Sequence, residues 1–489
     1  MRLKITLLFF LVSFSVFSQS ITAKLIDAST KAPIAFANIK TGAYSGTISN
    51  DEGYFTVLAT SDTNNITISC MGYASKTLSI KKIVSMGLLI ALEPASNQLN
   101  EVFISNKRPN TDTIIARVNA NISKNYKFDL NAYNVFYRAT DYVNFKSLEF
   151  EIDKASHVKK QQLEGVNKSL TALANQVKSS NMVQFTDFKG HVFTLNKDSI
   201  KLKVEKATEL LDSKKDFSVE NIQKKMQDII LKYLDTTKTY KLKTGLFKIE
   251  DSLALNDDDF KEDDTNEYNT SYLNNDTKSI LNQVLFYEDT FLNTILNSDL
   301  YTYSFKDVGY NNGELTYSIG FTPRKGKAKY TGTLFIAEDT YAVSRIDYNY
   351  YEDRHGQKLN LRLILGIKYI ENKNEGTIIF AKDSSNVYQP KYIKRTTGSY
   401  FYVSRPLKFI ENSSNRYKVS FDFKIEGQNS NTQELLVTNH KTLSFLDFQA
   451  ERQTDKTPMI KLGKYEKTIW DNEGIIAPSL EMKVFDGDD

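Results

Sequence analysis

A two-residue alternation of apolar and polar side chains constrains this chain more than any other feature of its sequence. In "LNLRLILGIKY", Leu359, Leu361, Leu363, Leu365, Ile367 and Tyr369 fall on one face, and "YKVSFDFKIEG" repeats the pattern with Val419, Phe421, Phe423 and Ile425. Both segments are expected as strands with one face buried and one wet. A content of 28 Tyr and 30 Phe against 8 Pro suits such half-buried pleated surfaces. The 489 residues exceed one ordinary core, and a soft prior of roughly 150 residues per domain suggests about three units. Lys plus Arg number 63 against 59 Asp plus Glu, a net +4 that offers no basic field for nucleic acid.

The opening "MRLKITLLFFLVSFSVFSQS" places Arg2 and Lys4 before an apolar run and a small-residue ending. Residues 1–18 read as a secretory signal peptide cleaved after Ser18. An uncleaved anchor is the alternative, but Leu7 to Phe17 is about half of the roughly 20 apolar residues that a spanning helix needs. Export permits disulfides, yet Cys70 is the only cysteine, so stability must come from packing. With no cysteine at the cleavage point, a lipid-modified mature N-terminus is not expected.

Residues 19–95 alternate short strands with turn clusters, the spacing of a small sandwich. Ile66, Ile68 and Cys70 share one face of "NNITISCMGY", so Cys70 reads as a small core hydrophobe rather than a reactive thiol. Pro33 precedes a strand on which Ala35, Ala37 and Ile39 alternate. Residues 96–111 read as a linker. Ile114, Ile115, Val118 and Ile122 then recur at helical spacing, with Thr111 or Asp112 as the expected N-cap.

Strand-like pieces within 133–205 surround a Gln/Asn/Ser-rich middle without an assignable period. Helical stripes follow at Val219, Ile222, Met226, Ile229, Ile230, Tyr233 and Leu234, and at Ile280, Leu281, Val284, Leu285, Leu292, Ile295 and Leu296. Between them, "LNDDDFKEDDTNE" is dense in carboxylates but lacks the central Gly and terminal Glu of a calcium loop, so it reads as a solvated acidic loop. Region 112–298 is thus a mixed helix and strand region, 299–450 an antiparallel β region, and 451–489 a tail with the only tryptophan, Trp470.

Catalytic patterns are sparse. His157, His191, His355 and His440 are scattered without a paired metal-ligand spacing. His355 in "YYEDRHGQK" reads as part of a hairpin tip. Neither a phosphate-cradling glycine loop nor a Gly-x-Ser-x-Gly elbow occurs. No catalytic, cofactor-binding or metal-binding residue is therefore assigned, no cofactor is expected, and the chain is read as not an enzyme. A hydrolase using carboxylates in an interdomain cleft is the residual alternative.

One stretch is distinctive in its order and spacing: Asp27, Pro33-Ile34, Gly46-Thr47, Asp51, Gly53, Phe55, Ile68-Ser69 and Gly72-Tyr73, followed by "LNEVFI". It resembles the carboxypeptidase-regulatory-like domain of exported Bacteroidetes proteins. The resemblance implies a transthyretin-like β-sandwich, appended elsewhere to zinc carboxypeptidases or placed ahead of the plug of TonB-dependent receptors. No metallopeptidase motif accompanies it here, and the remaining residues, about 390, are too few for a plug and a 22-stranded barrel. Pro323, Gly332, Ile336, Asp339 to Tyr341 and Ile346 are similar to a strand pair of the half-barrel of lipoprotein-carrier proteins. In "GTISNDEGYFTV", Asp51 is expected to accept hydrogen bonds from turn amides, Gly53 to take positive φ, and Phe55 and Val57 to enter the core.

The expected fold is mainly β with an α+β middle: a seven-stranded-type sandwich, then amphipathic helices and an antiparallel strand-rich region or half-barrel. The expected function is a non-catalytic cell-envelope binding or scaffold protein in the periplasm or at the outer membrane. Its partner would be an envelope protein, glycan or lipid, with peripheral outer-membrane association and no nucleic acid. A small outer-membrane β-barrel with a periplasmic sandwich, or a lipid or lipoprotein carrier, are the alternatives.

Overall fold

The computed structural model describes residues 19–42, 45–59, 65–95, 109–179, 182–212, 228, 231–245, 247–255, 267–311, 313–471 and 473–487. The signal peptide, "LNEVFI", nearly all of the acidic loop and most of the 219–234 stripe lie outside them.

Seven short strands come first: β1 Gln19–Asp27, β2 Asn38–Lys40, β3 Gly46–Ile48, β4 Tyr54–Ala59, β5 Asn65–Ser69, β6 Lys76–Ser79 and β7 Leu89–Leu92, with helix α1 Ile80–Ser85 before the last. They make two sheets, β4-β1-β7 and β3-β2-β5-β6. Leu25, Ile39, Phe55, Val57, Ile66, Ile68 and Ile90 pack between them, with Cys70 partly buried at the margin. Burial pushes its thiol up, as suits a packing residue rather than a nucleophile. The expected seven-stranded sandwich is the observed one.

Fifteen further strands form one sheet: β8 Asn131–Ala155, β9 Met182–Thr194, β10 Ile200–Leu210, β11 Thr239–Thr244, β12 Phe247–Ala254, β13 Glu267–Asn269, β14 Tyr301–Asn311, β15 Glu314–Pro323, β16 Tyr330–Ala337, β17 Val343–Tyr350, β18 Lys358–Leu361, β19 Ile367–Lys382, β20 Tyr388–Glu411, β21 Lys418–Thr442 and β22 Lys456–Leu462. The order is β13-β22-β10-β9-β8-β21-β20-β19-β17-β16-β15-β14, with β11 and β12 joined through β20 and β18 through β19. Pairing is antiparallel except between β10 and β22. The path does not close, so the small-barrel alternative is not the architecture of the described chain.

On one face of the inner half of this sheet lie α2 Thr111–Asn125, then α4 Ser271–Leu281 and α5 Phe291–Ile295, which follow α3 Lys160–Ser179 in the chain. Ile115, Val118, Ile280, Leu292 and Ile295 fill the space above Tyr133, Tyr137, Leu435, Ile319 and Ile336. The second predicted stripe is thus buried as read, but it is broken: a 3-10 turn, Asn282–Val284, and a loop separate α4 from α5. The N-cap of α2 is Asn110, whose Oδ1 accepts the Thr113 amide at 3.0 Å, one position before the expected pair.

The outer halves of β8, β20 and β21 carry a second core. Phe145, Leu148, Phe150, Phe409 and Phe421 pack there against Leu170, Ala174 and Val177 of α3, the helix missed in the Gln/Asn/Ser-rich middle. Strand β9 accompanies β8 only as far as Val143, opposite Met182. Beyond it α3 flanks the exposed edge, and the Asn167 amide accepts from Ile152 N at 2.9 Å and donates to Ile152 O at 3.2 Å. A helix covering an edge in this way blunts strand addition.

Candidate functional site

The outer lobe holds a groove of about 560 Å³ between α3 and the ends of β8, β20 and β21. Asn167, Thr171, Asn175 and Lys178 form its helical wall, and Glu149, Glu151, Asp422, Lys424, Arg405 and Ser404 its sheet side. These residues come together because α3 runs back along β8 and presents its polar side next to the strand. The Glu149 carboxylate accepts from Lys424 at 2.8 Å and from Ser147 at 2.7 Å, which holds its carboxyl below the ordinary range. Burial raises Asp422, with Asp153 adding to the shift. Amides, hydroxyls and charges of both signs line the groove. Such a lining is suited to hydrogen-bonding an extended polar ligand.

An apolar tip adjoins the groove. The expected continuous strand 359–369 is in fact β18, a one-turn helix α6 Arg362–Leu365, and β19. Gly366 makes the break at φ +64, and a Cβ there would meet Ser404 O at 2.1 Å. Leu363 is wholly exposed and Ile364 is 70% exposed as a result. β19 pairs Ile367 with Val403, while β11 pairs Lys243 with Lys408. The two hairpins therefore meet end to end beside Ser404 to Leu407, and the Arg405 guanidinium lies 5.8 Å from the ring centre of half-exposed Phe247. Leu363, Ile364 and Phe247, with Arg362 and Arg405, make a solvent-facing apolar and cationic end to the lobe.

The "GTISNDEG" corner does a different job. Asn50 Oδ1 accepts the amides of Glu52 and Tyr54 at 3.1 and 2.8 Å, and its Nδ2 donates to Ala477 O at 3.2 Å. Asp51, expected to hold the turn amides, instead pairs with Lys394 of the large sheet. Asn50 already satisfies those amides, which leaves the half-exposed Asp51 carboxylate to pair with Lys394. Gly53 takes φ +79, where a Cβ would sit 2.4 Å from Leu25 O. Ile48 joins Phe136, Tyr392, Leu436, Trp470, Ile475 and Ile476 in one small core. The corner docks the sandwich on the face of the sheet opposite α2, α4 and α5.

Beneath that contact, Arg138 donates to both oxygens of buried Asp187, at 2.8 and 2.7 Å, and to the carbonyls of Ile476 and Ala477. Burial raises the Glu434 carboxyl, and the Tyr392 hydroxyl donates to it at 2.5 Å. The four histidines are held apart. His191 lies between Asn134 and Glu205, His440 faces Asp383 at 3.3 Å, His355 contacts its own loop, and His157 is exposed. Among the described residues, no three His, Cys, Asp or Glu side chains converge as a metal site. Beside Phe128 and Tyr133, on the face covered by α2, α4 and α5, lies a pocket of about 20 Å³.

Two sheets of three and four strands with a glycine-marked corner define the first region as a compact β-sandwich. Residues 21–104 match the model of the CarboxypepD_reg-like domain, a match that begins within β1 and runs past β7. No curated protein matches the chain.

Proposed function

We propose that the chain is a non-catalytic binding or scaffold protein of the cell envelope. The carboxypeptidase-regulatory-like sandwich serves as a fixed accessory module, and the outer lobe engages the partner. One observation carries this reading: the outer lobe combines an open polar groove with an exposed apolar tip, whereas the sandwich corner is consumed in docking. A groove of about 560 Å³ suits a segment of peptide or glycan. Leu363, Ile364 and Arg362 suit peripheral contact with an envelope lipid surface, since apolar tips with flanking cations enter the headgroup region. The filled face beneath α2, α4 and α5 favours a scaffold over a lipid carrier. The signal-peptide reading of residues 1–18 supports export.

Flotation of the full chain with anionic phospholipid vesicles, alongside affinity capture from envelope extracts, tests the proposal. Wild type is expected to float and Leu363→Asp/Ile364→Asp to stay in the dense fraction. Lys178→Glu/Lys424→Glu reverses one charge on each wall of the groove, and it is expected to float as wild type does while losing the captured partner. Wild type that neither floats nor retains any envelope protein or glycan would overturn the proposal.

A further inference from the structure

A second, smaller pocket lies where the sandwich meets the large sheet. It measures about 100 Å³ and is lined from the sandwich by Lys40 and Ser45, and from the sheet by Glu314, Lys382, Tyr388 and Lys391. Lys391 is the unusual member. It is 7% exposed, and its ammonium donates to Gly46 O at 2.9 Å and to Val437 O at 2.8 Å. An ammonium has three protons to donate, and these two acceptors are neutral.

Buried charges are ordinarily paired with an opposite charge, because desolvation costs more than neutral acceptors return. Among the described residues, no carboxylate bonds to Lys391. The one acid that lines the same pocket, Glu314, is engaged by Lys382 and by the Tyr388 hydroxyl at 3.2 Å. Burial alone pushes the Lys391 ammonium down to about 8. The chain thus builds a pocket with Lys40, Lys382 and Lys391 in its wall, the Ser45 hydroxyl on the sandwich side, and a charge left without its counterpart.

We infer that this junction pocket is an oxyanion site, in which a phosphate or carboxylate group supplies the counter-charge to Lys391 and ties the sandwich to the sheet. Its volume suits a single tetrahedral or planar oxyanion rather than a drug-sized ligand, for which pockets are several-fold larger. Lys40 and Ser45 belong to the sandwich and Lys391 to the sheet, so an occupant contacts both regions at once. A ligand bound only to this docked state stabilises it in proportion to occupancy.

Thermal unfolding of the full chain, titrated with inorganic phosphate or with acetate against sodium chloride at matched ionic strength, tests the site. Wild type should show a saturable rise of several degrees with one anion, and the responding arm identifies phosphate or carboxylate as the preferred group. Lys391→Met should melt no lower than wild type in chloride and lose the saturable rise. Lys391→Gln, whose amide can still donate to both carbonyls, is the second variant and should lose it too. A wild type unresponsive to both anions, or an undiminished response in either variant, would overturn the assignment and leave Lys391 as a clamp on two carbonyls.

Discussion

The sandwich buries its apolar residues between two thin sheets, whereas the large sheet buries them on both of its own faces. The sandwich core between the two sheets is built from apolar side chains, and among the described residues no ionised pair lies inside it. At the centre of the large sheet, α2, α4 and α5 cover one face, and the sandwich corner and the tail cover the other. Charged groups held between those covers include Arg138, Asp187 and Lys391, with half-buried Glu434 beside them. The difference teaches where this molecule is most sensitive: at the junction of its two regions, more than inside either one.

The largest effect is expected from that junction. Arg138→Met leaves Asp187 ionised, buried and alone, and breaking such a pair costs about 3–5 kcal/mol. Urea unfolding of the full chain should show that loss, and Arg138→Met/Asp187→Leu should recover most of it, because an apolar pair of similar volume often matches a buried ion pair. A single variant within about 1 kcal/mol of wild type would mean that water reaches Asp187, and the contrast with the dry sandwich core would collapse.

The next effect depends on pH. With Lys391 pushed down to about 8, the folded chain binds fewer protons than the unfolded chain between that value and the ordinary lysine range. Stability relative to Lys391→Met therefore rises as pH rises through this window. The slope approaches about 1.4 kcal/mol per pH unit and totals about 3 kcal/mol. Below pH 8 both states hold the proton and the difference should be flat. Chloride buffers keep oxyanions out of the comparison, and taking the difference cancels the titration of the buried tyrosines common to both proteins. A difference that is flat throughout would show an ammonium as well solvated as one on the sandwich surface.

The same contrast explains what could be read from the sequence. Alternation survives in β5, where Ile66 and Ile68 face inward and Thr67 is only half-buried, and in the outer half of β8, where Phe150 and Ile152 are buried between exposed Glu149, Glu151 and Asp153. It vanishes over Asn131 to Thr140, where nine of the ten residues are buried because both faces are covered. That is why "YNVFYRAT", one of the strand-like pieces within 133–205, carries no two-residue period in its burial. Helix α3 was legible in principle, since Leu163, Val166, Leu170, Leu173 and Val177 keep helical spacing, but Gly165 and the many amides diluted the stripe. The 359–369 segment erred the other way. Its alternation is interrupted only at Ile364 and Gly366, and Gly366 turns it into a hairpin with Leu363 in water. Neither the groove nor the Lys391 pocket has a local signature, because each is assembled from strands hundreds of residues apart.

The smallest effects come from the corner itself, and they separate two neighbours that sequence alone could not rank. Asn50→Ala removes the acceptor of two turn amides and the donor to Ala477 at a position 6% exposed, a loss expected at about 1–3 kcal/mol by calorimetry. Asp51→Ala removes an ion pair whose carboxylate side chain is 56% exposed, and such pairs are worth about 0–1 kcal/mol. The Asp51 loss should shrink further in high salt, whereas the Asn50 loss should not. A double-mutant cycle with Lys394→Ala should then return a coupling below about 1 kcal/mol. If Asp51→Ala proved the costlier substitution, the turn would be held from the carboxylate after all, and the sandwich would depend on the sheet beneath it for the shape of its own corner.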